Sequence, residues 1–304
     1  MEKPEVSLVI STRNRAEKLR SCLDYIARQQ PSCAWELVVV DNGSTDGTRQ
    51  VLDEFAARAA FPVAVLFKSK PGLGRAHNVG WRAARSDIIA ITDDDCYIAA
   101  DYIDRVRETF SDPKIGFAGG RVDLFDPTDI PMTIRTSDQR ELFKPQSFIE
   151  GGALLGANMM FRRRVLEELG GFDPDLGPGA RFHGEEMDAQ TRASFAGWWG
   201  LYTPEVIVAH HHGRKAKDAP KLLQTYVIGQ GAYTAKCMLA PESRRVVMPV
   251  VARNWYWLAR KAVRRGGELR WLLWEMQGFA GYLGYWLRKR IHSVIWRVLR
   301  PILR

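Results

Sequence analysis

The sequence predicts an α/β fold: an open, mostly parallel sheet flanked by helices, followed by a basic, Trp-rich helical appendage. Three observations carry this expectation. Short β-branched apolar runs alternate with helix-patterned stretches through the first hundred residues. A polar cluster follows each run. The charge is also uneven: residues 253–304 hold twelve Lys and Arg against Glu268 and Glu275, a net of +10, so the first 252 residues carry −1 of the chain's +9. At 304 residues with 46% hydrophobic content the chain can bury a large core, and a disordered polymer is excluded.

The first run, VSLVIST (6–12), has an apolar core too short for a signal peptide and lacks a small-residue cleavage pattern, so it reads as a strand. Leu19, Cys22, Leu23 and Ile26 follow at helical spacing. ELVVVDNG (36–43) is the second strand, VAVLF (63–67) the third, residues 74–85 a helix, and DIIAITD (87–93) the fourth strand. The four cysteines, Cys22, Cys33, Cys96 and Cys237, form no CxxC or zinc-like pattern and read as free thiols of a reducing, cytosolic compartment.

The polar clusters STRNR, DNGSTDGT, KPGLGRAHN and TDDDC fall after successive strands, on the rim where open α/β sheets bind ligands. Turn chemistry explains any one of them. Four on one rim point to a ligand. The GLG of the third lacks the spacing of a dinucleotide fold, but it opens a helix whose free N–H groups favour an anion, and Arg75 adds a positive charge there.

Asp93, Asp94 and Asp95 end a buried-looking strand. Carboxylates ~5 Å apart repel by roughly 3 kcal/mol at an effective dielectric near 20, so something must offset the repulsion. If the chain stays extended, Asp93 and Asp95 face one side and Asp94 the other. The first two suit a hard divalent ion, Mn2+ or Mg2+, shared with substrate phosphates, and Asp94 is left to bond the scaffold. The bland alternative is a solvated turn in which Asp95 caps a helix beginning near residue 100.

STRNR, VVVDNGSTDGT, GLGRAHNVG, IAITDDDC, LLGANMMFRRRVLEELGGFD, GEEMDA and VIVAHHHGR occur in the order seen in glycosyltransferase family 2, which the chain resembles over roughly residues 5–214. The resemblance implies a GT-A fold over a catalytic domain at 1–215, a nucleotide-sugar donor, a divalent metal and transfer with inversion. By position it implies that Thr12 and Arg13 lie near the nucleotide, that Asp41 accepts from the base, that Arg75 and Asn78 line the donor site, and that Asp93 approaches the ribose with Asp94 beside it. Asp95 would bind metal. A carboxylate at a strand end can accept the imide N–H of uracil, which favours a UDP-sugar.

Inverting transfer needs a carboxylate to take the acceptor's proton. Within HGEEMDAQTRA the candidates are Glu186, Glu185 and Asp188; Glu186 stands where the family more often has Asp, so its reach is one methylene longer and the other two stay open. Acidic residues in a first helical turn also simply complement the helix dipole. Of the histidines ending VIVAHHH, the family position for a metal contact is His210, with His212 as the alternative on the same side of an extended chain. GANMM (156–160) reads equally as core packing or as the floor between donor and acceptor, and the long polar stretch 123–146 reads as a lid or acceptor wall.

Beyond the resemblance, residues 216–304 form the appendage. WLLWEMQGFAGYLGYWL (271–287) is marginal for a membrane span. Ile291, Val294, Ile295, Val298, Leu299 and Ile302 then recur at helical spacing opposite Arg290, Arg297, Arg300 and Arg304. With six of the ten tryptophans, residues 253–304 suit an anionic membrane surface. The expected setting is the cytoplasm, peripheral at the inner face of the plasma membrane, with a glycan or lipid-linked acceptor, as in bacterial surface polysaccharide or glycoconjugate synthesis. A helical hairpin packed on the catalytic domain or in a homo-oligomer is the alternative. Nucleic-acid binding would explain the tail but leave TDDDC, GEEMD and the histidines unexplained. A metal-dependent nucleotidyltransferase would use similar aspartates but a nucleoside triphosphate.

Overall fold

The computed structural model describes residues 2–265 and 269–299. They form two compact units, Met1–Arg181 with Glu185–Ala219, and Phe182–Gly184 with Pro220–Arg304.

The first unit runs β1 (Val6–Thr12), α1 (Ala16–Ile26), β2 (Trp35–Asp41), α2 (Thr48–Arg58), β3 (Val63–Phe67), α3 (Leu73–Ala83), β4 (Ile88–Asp93), β5 (Cys96–Ile98), α4 (Tyr102–Thr109), β6 (Ile115–Leu124), β7 (Glu141–Phe143), β8 (Asn158–Arg162), α5 (Arg163–Leu169), α6 (Glu185–Phe195) and β9 (Trp199–His210). The described strands make one sheet in the order β3-β2-β1-β4-β8-β6-β9-β5, with β7 pairing β9. Strands β1 to β4 are mutually parallel; β8 inserts antiparallel between β4 and β6, and β6 runs parallel to β9. The four strands expected from the β-branched runs are all present.

Strands β1 and β2 are buried at every residue, so they read as unbroken apolar runs. Their side chains still alternate. Leu8, Ile10, Leu37 and Val39 enter one core with Leu19, Leu23, Val51 and Phe55 from α1 and α2. Val9 and Val38 enter the other with Ile89, Ile91, Trp81, Phe161 and Phe172. Helix α3 approaches the second face closely at Gly80, where a Cβ would lie 2.4 Å from Val9 Cγ1. Any larger residue would push the helix, and the rim loop that precedes it, off the sheet.

Asn158 of GANMM is fully buried; it donates to the Arg121 and Val206 carbonyls at 2.9 Å each and accepts from Tyr102 Oη at 3.0 Å, tying β6, β8, β9 and α4 together. The stretch 123–146 is only partly a loop: β6 reaches Leu124, Arg135 bridges back to Val122, and β7 lies within it. None of the four cysteines is in a disulfide.

The second unit consists of α7 (Ala219–Leu239), α8 (Pro241–Arg265) and α9 (Leu269–Leu299). Helices α7 and α9 cross at two glycines, since a Cβ on Gly231 would lie 1.9 Å from the Glu275 carbonyl oxygen and one on Gly278 1.9 Å from that of Ile228. The 271–287 stretch and the basic run after it form one continuous helix despite its three glycines. Among the described residues no helix is long and apolar enough to cross a membrane. Of the amphipathic stripe, Ile291 is exposed; Ile302, Arg300 and Arg304, and the side chains of Val294, Ile295, Arg297, Val298 and Leu299, lie outside the described residues.

Candidate active site

The parallel register puts the ends of β1, β2 and β4 side by side, with Thr12 opposite Asp41 and Ser11 opposite Asp93. Asp93 ends β4, and Asp94 and Asp95 form a tight turn into β5. The chain is therefore not extended through the acids. Asp93 and Asp95 offer ligand atoms to one cluster that does not include Asp94, although Arg15 pairs with both Asp94 and Asp95, and Asp95 caps no helix because a strand follows it.

Asp94 bonds the scaffold. It accepts from Thr12 Oγ1 at 2.6 Å and pairs with Arg15 Nε at 3.2 Å. Burial pushes its carboxyl up to about 7 against the opposing pull of Arg15. Asp95 faces His210 Nε2 at 3.3 Å through Oδ1, while its Oδ2 pairs with an Arg15 amino group and lies 3.6 Å from Lys18 Nζ. Burial would raise Asp95, but the His210 hydrogen bond, Arg15 and Lys18 together hold it well below the usual carboxylate range. Asp93 is raised, by burial and then by the Asp95 charge.

Strand β9 delivers His210 because it pairs antiparallel with β5, setting His210 opposite Cys96. One ligand atom each from Asp93, Asp95, Cys96 and His210 lie within 4.8 Å of one another. Burial, then the neighbouring aspartates, push the Cys96 thiol far up, so it stays protonated. The remaining set of two carboxylates and an imidazole fits a hard or borderline divalent ion such as Mn2+ or Mg2+. His212 does not join it: its Nε2 is 3.0 Å from the Ile130 carbonyl and its Nδ1 accepts from the Arg214 N–H at 3.0 Å, so both ring nitrogens are taken by backbone. His211 turns to the other side, 2.9 Å from Tyr97 Oη.

Asp41 is buried at the end of β2 and accepts the Ser44 N–H through Oδ1 at 2.8 Å. Asn42 donates to the Lys68 and Lys70 carbonyls and accepts the Gly72 N–H, joining the second and third rim loops. Arg13 is exposed. Arg75 pairs with Asp175 at 3.3 Å and donates to the Pro71 carbonyl. Asn78 is a scaffold residue: its amide bonds both backbone groups of Phe172 and accepts from Trp81 Nε1. Arg15 and Lys18, which contact the acids directly, escape a reading that stops at Thr12 and Arg13; the clue was an Arg–x–x–Lys spacing leading off the first rim loop.

Glu185, Glu186 and Asp188 lie in the first turn of α6. Asp188 is buried in an ion pair with Arg192 at 2.8 Å, and Arg192 in turn donates to the Leu169 and Gly171 carbonyls. Glu185 and Glu186 hydrogen-bond to each other. Burial raises both, and Glu185 stands far above the usual range because the Glu186 charge and the shared hydrogen bond add to burial, whereas that same bond lowers Glu186. Of the two, Glu185 is the one held further towards its protonated form. Glu186 packs against Gly156 of GANMM, whose Cβ would lie 3.5 Å from its Cβ and Cγ. The Asp93 charge raises both glutamates, which sets the two acidic groups within electrostatic reach of each other.

This sheet order, with a metal-fitting acid turn after the fourth strand and a carboxylate pair on α6, defines a GT-A-type fold. Among solved structures the chain is similar to the mannosyltransferase PcManGT from Pyrobaculum calidifontis in complex with GDP-Man and Mn2+, with a TM-score of 0.63 and 19% identity over 99% of this chain and 83% of that one. It is also similar to S. aureus TarS 1-349 in complex with UDP-GlcNAc, with a TM-score of 0.57 and 15% identity over 78% of this chain and 67% of that one. In sequence it is 27% identical over 208 residues to glycosyltransferase AglE of Haloferax volcanii, spanning 68% of this chain and 67% of AglE. It is 28% identical over 172 residues to the putative glycosyltransferase EpsH of Bacillus subtilis, spanning 55% of this chain and 49% of EpsH. Residues 7–170 match the family Glycosyl transferase family 2. The chain belongs to that family and is a glycosyltransferase.

Proposed function

We propose that the protein moves a sugar, with inversion, from a nucleoside diphosphate sugar to a hydroxyl of a glycan or lipid-linked acceptor. The observation that carries this reading is the convergence of Asp93, Asp95 and His210, from two distant strands, within 4.8 Å. A divalent ion held there would neutralise the donor's diphosphate and stabilise the leaving group. Asp41 supports a uracil base: it is buried at the rim, and its second oxygen makes no protein hydrogen bond among the described residues. Glu186, whose carboxyl the bond from Glu185 lowers while burial raises it, accepts the proton of the acceptor hydroxyl, and Glu185 holds it in place through that bond. Calorimetry with UDP, GDP and UTP, each with and without Mn2+, tests the reading. Manganese-dependent binding of UDP is expected; a GDP preference would reassign Asp41, and binding of UTP alone would favour nucleotidyl transfer.

The second unit supports contact with an anionic membrane surface. Its helices expose Trp257, Leu287, Ile291 and Trp296 together with Arg288, Lys289 and Arg290, the combination that favours acidic lipid headgroups. Sedimentation with phosphatidylglycerol vesicles should pellet the protein, and Arg288→Glu with Lys289→Glu and Arg290→Glu should release it. Equal pelleting of both would remove this part of the reading.

A further inference from the structure

Arg15 pairs with the acid turn that supplies two of the candidate metal ligands. Its backbone is fixed: its N–H faces Thr48 Oγ1 at 3.3 Å, the Asn14 N–H donates to Ser44 Oγ at 2.9 Å, and Asn14 Oδ1 accepts the Thr45 N–H at 2.7 Å. The first rim loop is thereby locked to the loop after Asp41. From this base the guanidinium spans the acid turn, with Nε on Asp94 Oδ1 at 3.2 Å and an amino group on Asp95 Oδ2, although the side chain keeps 37% of its surface exposed. Lys18 Nζ donates to the His211 and His212 carbonyls at 3.0 and 2.9 Å and stands 3.6 Å from the same Asp95 oxygen. The histidine segment and Asp95 are thus both under the influence of fixed positive charge.

We infer that Arg15, assisted by Lys18, competes with the divalent ion for Asp95 and so keeps affinity for the free ion low, making firm metal binding depend on the anionic donor. The inference rests on the reading of Asp95 as a metal ligand. Its physical basis is charge balance. Asp94 and Asp95 are already paired with Arg15, and Asp95 also faces Lys18, so a dication added without an anion meets the repulsion of these cations. A diphosphate arriving with the ion reverses the sign of that penalty and gives the displaced guanidinium a new partner. The half-exposed head can swing while the locked backbone stays in place, so the exchange needs no movement of the sheet.

The test is Mn2+ alone, titrated into the full-length protein and followed by the electron paramagnetic resonance signal of the free ion. Arg15→Gln should bind Mn2+ about tenfold more tightly than wild type, as expected for removing one like charge ~6 Å from a dication in a partly screened site. Arg15→Lys, which retains the charge, should stay within about twofold, and Lys18→Gln should tighten binding about threefold because its charge lies further from Asp95. Addition of UDP should tighten Mn2+ binding less in Arg15→Gln than in wild type. Asp95→Asn should abolish binding in every background. Unchanged or weaker Mn2+ binding in Arg15→Gln, with Asp95→Asn still abolishing it in the wild-type background, overturns the competition and leaves the metal reading standing. Binding that survives Asp95→Asn, or no binding in any variant, overturns both. Melting in EDTA establishes that each variant is folded, and should Arg15→Gln fail to fold, Lys18→Gln decides by the same criterion.

Discussion

The rim carries two groups of crowded carboxylates, and they meet the same electrostatic problem in opposite ways. At the β4–β5 turn Asp95 is held ionised by neighbouring cations: Arg15 reaches Asp94 and Asp95, and Lys18 approaches Asp95. At the start of α6 Glu185 and Glu186 share a hydrogen bond, and burial raises both, Glu185 the further. The difference teaches what each group is suited to. An aspartate held ionised by a partly exposed guanidinium suits exchange of that partner for a metal, whereas a glutamate raised by burial beside a second one suits proton exchange.

The largest effect that would break this comparison lies at Asp95. Asp95→Asn should lower Mn2+-dependent donor binding by at least about a thousandfold, the scale of losing one charged ligand in a site of few ligands, as read by calorimetry. Glu186→Gln should lower kcat by about 10²–10³ while donor affinity stays unchanged. Because burial raises the Glu186 pKa above 4.5, the base is lost by protonation earlier on acidification than for an ordinary glutamate. The acid limb of the wild-type kcat profile should therefore lie above pH 4.5, and Glu186→Gln should lack that limb.

Asp94→Asn sharpens the division within the turn. It should cost about 2 kcal/mol in urea denaturation, through the lost charged bond to Arg15, and leave donor binding within a few-fold. If Asp94→Asn abolishes metal binding instead, the assignment of Asp94 to the scaffold is wrong.

The smallest effect comes from a titrating group outside both clusters. His77 is buried on α3 beside Ser11 and against Phe172, and burial holds it at about 3 rather than 6.5. The unfolded chain takes up a proton at His77 below pH 6.5 that the folded chain refuses, so this contribution to stability is present above pH 6.5 and lost as pH falls toward 3. By pH 5.5 the loss should be about 1.4 kcal/mol relative to neutral pH, and His77→Phe should flatten that part of the pH–stability curve.

Much of this arrangement was legible in the residues. Strands β1, β2 and β4 are readable because burial on both faces demands unbroken β-branched runs, and the edge strand β3 is readable by its β-branched run although it is only half-buried. Strand alternation would set Asp94 apart from Asp93 and Asp95, but the chain makes a tight turn after Asp93 and Arg15 pairs with both Asp94 and Asp95. The insertion of β8 between β4 and β6 was not legible, because it rests on pairings between residues some seventy positions apart such as Ile89 and Phe161. Arg15 was missed for the same reason: its role exists only once the first and fourth rim loops are adjacent. His212 looked equivalent to His210 by spacing, but backbone groups of Ile130 and Arg214 take both of its ring nitrogens. Asn78 likewise lay in a motif that suggests ligand contact, and the fold spends its amide on Phe172 and Trp81.

The division of labour between the two acidic groups is tested most directly by the calorimetric affinity for UDP in the presence of Mn2+, measured side by side in Asp95→Asn and Glu186→Gln. The account predicts wild-type affinity in Glu186→Gln and no measurable binding in Asp95→Asn. Loss of binding in Glu186→Gln with retention in Asp95→Asn would contradict it.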